Sequence, residues 1–204
     1  MRGSTAKRYA LLLALGLLGV VALHDLARLG DTLPWRQLYD FQDFYCAGAA
    51  LDARADPYLY EPLHSCEHAV NRTPAYRADP AFAVPAPLPP YDFPPFMALA
   101  RLSFPAARAI YAIAILAALL ACIYGLGLLG IPLDVAALAL FFPAGYLLLA
   151  AGQVVPFALV ALVLCGVALA RGRDLAGGIL AALALIEPHL GLPICAATLL
   201  WAPR

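Results

Sequence analysis

The stretch DFQDFYCAGAALDARADPYLYEPLHSCEH, Asp40–His68, decides how this chain is read. It is the longest polar, aromatic-rich segment in a sequence that otherwise has the composition of lipid-soluble material. It sets two carboxylates, Asp40 and Asp43, among Phe41, Phe44 and Tyr45. From Arg36 to Ala53 there is no proline, and Gly48 is the one glycine. At helical spacing Phe41, Phe44, Tyr45, Gly48 and Leu51 share a side, with Asp40 at the margin of that stripe. Asp43 follows Asp40 by one turn. The pattern predicts an amphipathic, juxtamembrane helix lying along a membrane surface. The two carboxylates then either solvate its wet face or hold a general base where lipid meets water.

The rest of the chain supplies the membrane. Of 204 residues 64% are hydrophobic and 13% charged, and the mean hydropathy is +0.82. Soluble domains average about half apolar and a quarter charged, so the composition indicates an integral membrane protein. A formal net charge of zero gives no hint of a nucleic-acid partner. Spans are predicted over 9–27, 105–129, 133–151, 154–170 and 175–201, the fourth being short for the roughly 20 residues a span needs. A cleaved signal peptide is the competing reading of the first segment. No small-residue cleavage site stands clearly after Leu23, which favours an uncleaved span.

Basic residues set the orientation. Arg2, Lys7 and Arg8 precede the first segment, and Arg171 and Arg173 lie between the fourth and fifth. Five spans place both groups on one side, which the positive-inside rule makes cytoplasmic. Residues 29–92 then form one long external loop. The dense prolines from Pro80 to Pro95 predict an extended, irregular return to the membrane. Cys122, Cys165 and Cys195 fall in apolar runs, which leaves Cys46 and Cys66, both in the external loop, as the pair expected to form a disulfide. His64-x-Cys66-x-His68 fits no strong zinc spacing, and no metal is expected. No Gly-rich phosphate loop occurs, and the sequon at Asn71–Thr73 is not expected to be used.

Taken in order, the motifs resemble a known family. Asp40-Phe41, Phe44-Tyr45, Ala47-Gly48 and Asp56-Pro57-Tyr58 are similar to the first external loop of glycosyltransferase family 87. That family holds the polyprenyl-phosphate-mannose-dependent mannosyltransferases of the GT-C membrane fold. Tyr91 with Pro94-Pro95, then Gly152-Gln153, then Pro188 follow in family order. The resemblance implies an all-α membrane fold and transfer of a hexose from a polyprenyl-phosphate donor to a hydroxyl of a lipid or glycan acceptor. The transfer would occur on the outer face of a bacterial cytoplasmic membrane, among membrane lipids and without a cofactor. It implies that Asp40 is the general base, with Asp43, Tyr45, Tyr91, Gln153, Glu187 and His189 as supporting or substrate-binding candidates. Gln153 could equally cap a helix.

Two departures matter. Glu187-Pro188-His189 stands where the family often carries Lys before Pro, and a Glu cannot pair with a phosphate; His189 could supply the positive group. Buried ionisable residues in a span point to function by default, although a Glu–His pair could simply satisfy itself. The family also has more than five spans, so the chain is expected to correspond to the N-terminal part of such a fold. The alternative reading is a truncated or non-catalytic multi-pass protein that binds lipid or resembles a transporter.

Overall fold

The computed structural model describes residues 38–70, 81, 83–85, 88–141 and 151–201, with isolated positions between Tyr9 and His24. Every regular element among the described residues is helical. In chain order these are α1 (Tyr39–Asp52), α2 (Tyr60–Val70), α3 (Phe93–Ala100), α4 (Phe104–Leu128), α5 (Leu133–Phe141), α6 (Val155–Ala170), α7 (Asp174–Leu183) and α8 (Pro188–Trp201). Short 3-10 turns, Pro90–Asp92 and Ala184–Ile186, precede α3 and follow α7. The predicted span at 9–27 lies outside the described residues apart from those isolated positions, as do residues 142–150 of the third.

Among the described residues one helix, α4, is long and apolar enough to cross a membrane: 25 residues with a hydropathy of 2.4. Its side chains Ile113, Leu120 and Tyr124 are exposed, an apolar surface that water would disfavour. This helix corresponds to the second predicted span, and among the described residues no other helix has that length. The fourth is the 16-residue α6. The fifth is not one helix but α7, a 3-10 turn and α8. The break falls at Glu187, whose backbone is extended at φ −124°, ψ 93°. Its successor is Pro188, and a proline disfavours helical geometry in the residue before it.

The surface helix is also corrected. In α1 every residue from Phe41 to Gly48 is buried, so no wet face remains over two turns. α3 covers one side of α1, α2 another, and the start of α4 a third. Phe41 stacks on Tyr111 of α4 at 4.4 Å, and Phe44 meets Phe96 of α3 at 5.1 Å. These aromatic pairs join Leu63, Phe93, Ile115 and Leu119 in the core. Gly48 makes the α1–α3 approach possible: a Cβ there would lie 2.5 Å from the backbone of Phe96, and only glycine lacks one.

The proline-rich return is helical sooner than expected. Pro94 and Pro95 occupy the first turn of α3, where their missing N–H groups have no helical partner to lose. The Asp56-Pro57-Tyr58 turn closes on itself, with Tyr58 N–H donating to Asp56 Oδ1 at 2.9 Å. The Tyr58 hydroxyl then donates to Leu88 O at 2.8 Å, tying the turn to the return segment.

Candidate functional site

The site begins with Asp40, in the first turn of α1. Its carboxylate is half-buried and accepts a hydrogen bond from the Gln153 side-chain amide through Oδ2. Among the described residues this is its one hydrogen-bond partner. Loss of water around it raises its pKa above the ordinary carboxylate value, because burial penalises the charged form. The carboxylate is therefore a better base than one in free solution, with Oδ1 left to accept another proton donor.

Gln153 is positioned by a turn that the sequence specifies closely. Gly152 adopts φ +73°, and a Cβ on it would press on Leu38 at 3.2 Å. The Tyr111 hydroxyl donates to Gly152 O at 3.0 Å. That bond fixes the 152–153 turn to the face of α4 that also stacks on Phe41. The turn leads directly into α6. Tyr111 is the site residue that sequence reasoning missed. Its signal was weak, a tyrosine inside an apolar run.

Below Asp40 the disulfide Cys46–Cys66 joins α1 to α2, with the Cα atoms 5.6 Å apart. It closes a segment of 20 residues, for which the loss of unfolded-state entropy is worth about 3 kcal/mol. Cys122, Cys165 and Cys195 are free thiols. Asp43 does not solvate a wet face; it is buried at 8% exposure. The Tyr45 hydroxyl is used structurally, donating to Leu102 O at 2.8 Å.

The remaining candidates gather elsewhere. Tyr91 donates its hydroxyl to Leu185 O at 3.0 Å. Glu187 pairs with His189 at 2.7 Å. Between them is Asp92, a second residue the sequence reading passed over, 5% exposed and with no donor to its Oδ2. Burial, and then the charge of Glu187, push its pKa up to about 6. The candidate residues thus fall into two groups, Asp40 with Gln153, and Tyr91 with Glu187 and His189 around Asp92. No group of three or more metal-ligating side chains occurs among the described residues.

The described residues define a class: they are helical throughout their regular elements, with one helix long and apolar enough to cross a membrane and a packed cap that presents a desolvated carboxylate. The chain matches no family model, no curated protein and no solved structure. The resemblance to the membrane glycosyltransferases rests on the residues quoted above.

Proposed function

We propose that this protein is a membrane glycosyltransferase that moves a hexose from a polyprenyl phosphate to an acceptor hydroxyl. The observation that carries this reading is the Asp40 carboxylate, half-buried, held on one oxygen by Gln153 and raised in pKa by desolvation. A base of that kind suits the removal of a proton from a weakly acidic hydroxyl as it attacks. Asp40 would take the proton from the acceptor. The acceptor oxygen would bond to the anomeric carbon from the face opposite the phosphate. The sugar–phosphate bond would break, the lipid phosphate would leave with its electron pair, and the anomeric centre would invert.

On this reading the shorter apolar helices α6, α7 and α8 also lie in the membrane. The N-terminus is cytoplasmic, and residues 29–92 face the outside of a bacterial inner membrane. Gln153 holds Asp40 in place and orients it. Glu187 cannot neutralise the donor phosphate, so that charge must be met by another group.

A lipid-binding, non-catalytic role is the second reading. It is favoured by an apolar cavity beside Asp92 whose described lining contains no Lys or Arg. Membranes carrying the protein separate the two. Given radiolabelled polyprenyl-phosphate hexose or a labelled nucleotide sugar, the transferase reading expects label to reach a lipid or glycan acceptor from the polyprenyl donor alone. Specific retention of the donor with no transfer would favour lipid binding. Transfer from the nucleotide sugar would overturn the donor assignment.

A further inference from the structure

The polar surface that the Asp40 chemistry leaves unused is at the other end of the cap. A cavity of about 470 Å³ opens between the Pro90–Asp92 turn and the α7–α8 corner. That is within the roughly 300–1,000 Å³ of small-molecule sites. Its apolar wall comes from Leu183, Ile186, Pro188 and Leu192. Its polar end is Tyr91 and Asp92. The Tyr91 hydroxyl is engaged, since it donates to Leu185 O. Asp92 is not: it is 5% exposed, and Oδ2 has no hydrogen-bond donor. A buried carboxyl oxygen without a donor costs on the order of 1–3 kcal/mol or more, and such an orphan in a folded protein calls for a cause.

Among the described residues two carboxylates, Asp92 and Glu187, meet at this end. Glu187 adjoins Asp92 closely enough to raise its pKa by repulsion. The imidazole of His189, two residues on from Glu187, is taken up by the Glu187 carboxylate at 2.7 Å. The described lining contains neither Lys nor Arg. A phosphate or carboxylate head would add a third negative charge to a poorly hydrated corner, and like charges disfavour ionisation there. A neutral alcohol could donate one hydrogen bond but would leave the Asp92–Glu187 repulsion unrelieved. An ammonium group supplies up to three donors and a positive charge, while an alkyl chain attached to it covers the leucine wall.

We propose that this cavity binds a cationic amphiphile, with its ammonium on Asp92 beside Glu187 and its apolar tail along Leu183, Ile186 and Leu192. The site is separate from the Asp40–Gln153 pair and does not depend on the glycosyltransferase reading. The head must be a primary or similarly unhindered amine, because the donor it supplies has to reach a nearly enclosed oxygen. Binding should tighten as Asp92 ionises, that is, as pH rises through about 6. The groups that face Asp92 during this titration are Glu187, Tyr91 and Tyr58.

The test uses the full chain in nanodiscs of zwitterionic lipid, with empty discs for the background. Isotope-labelled octylamine, octanol and octyl phosphate are the probes. The expected result is saturable binding of octylamine near one per chain, at least tenfold tighter at pH 7.5 than at pH 5. Octanol and octyl phosphate should show only the background of the lipid. Asp92→Asn should weaken octylamine binding at least tenfold and remove its pH dependence. Leu192→Trp, which fills the tail wall and leaves the carboxylates intact, should abolish binding. It carries the test if Asp92→Asn fails to fold as judged by gel filtration. Equal saturable binding of octanol would show a merely apolar groove and overturn the assignment. So would saturable binding of octyl phosphate, or octylamine affinity unchanged in a folded Asp92→Asn or Leu192→Trp protein.

Discussion

The core of the cap, residues 38–100, and the outer faces of the helices from Phe104 onward treat their large side chains in opposite ways. In the cap, Leu38, Phe41, Phe44, Leu63, Phe93 and Phe96 are each 2% exposed or less. In the helices, Leu120 is 62% exposed, Leu175 81%, Leu199 80% and Leu200 86%. The first region packs its aromatic side chains into a core that it shares with the inner face of α4, and a disulfide joins two of its helices. The second leaves apolar surface that another apolar phase must cover, and a bilayer would cover it. The difference teaches where precision is needed. A base that takes a proton must be held within a fraction of an ångström, and Asp40 is held where the cap meets the 152–153 turn and α4.

The comparison can be broken at the disulfide first. Cys46→Ser with Cys66→Ser should remove about 3 kcal/mol from the cap. Amide exchange should then accelerate over α1 and α2, while the amides of α6 and α7 keep their protection. Equal acceleration in both regions would mean that the two are one cooperative unit.

Acidity gives a change of similar size. Asp92 has a folded pKa of about 6, above the ordinary 3.8. A raised carboxyl pKa means that folding favours the protonated form. Its contribution to stability is thus fully present below about 3.8 and is lost as pH rises through about 6. The rise amounts to roughly 3 kcal/mol. Thermal unfolding measured from pH 4 to pH 7.5 should show a decline that Asp92→Asn largely removes. An identical slope in that variant would contradict the burial of its charge.

Two glycines sharpen the contrast further. Gly48→Ala drives a Cβ to within 2.5 Å of the Phe96 backbone and should cost about 1–3 kcal/mol, since overpacking against main chain cannot relax easily. Gly178→Ala in α7 meets nothing within 4 Å and should gain up to about 1 kcal/mol from helix propensity. Melting temperatures of the two variants should therefore move in opposite directions.

Much of the cap was legible in the sequence. Cys46 and Cys66 were matched by elimination, because the other three cysteines fall in apolar runs. Asp40 and Gln153 each stood out by themselves, but nothing in sequence joins residues 113 positions apart; the turn at Gly152 does that. The burial of α1 was not legible. One reading put Asp40 and Asp43 on a wet face, yet α2 and α3 pack on α1 and Asp43 is buried. Asp92 was hidden in YDFPP, where Tyr91 and the prolines carry the pattern and burial depends on the distant α7–α8 corner. The break in the last span was written plainly as Glu187-Pro188, but the continuous hydrophobicity on either side outweighed it.

The measurement that bears most directly on the assignment is transfer by Asp40→Asn. Asparagine keeps the shape and can still meet Gln153, but it cannot take up the acceptor's proton. In membranes supplied with polyprenyl-phosphate hexose, Asp40→Asn should lower the rate by about 10²–10⁴-fold, with the protein still inserted and its disulfide intact. Asp43→Asn, tested beside it, should cost far less. Wild-type rates in Asp40→Asn would contradict the role of that carboxylate as the base.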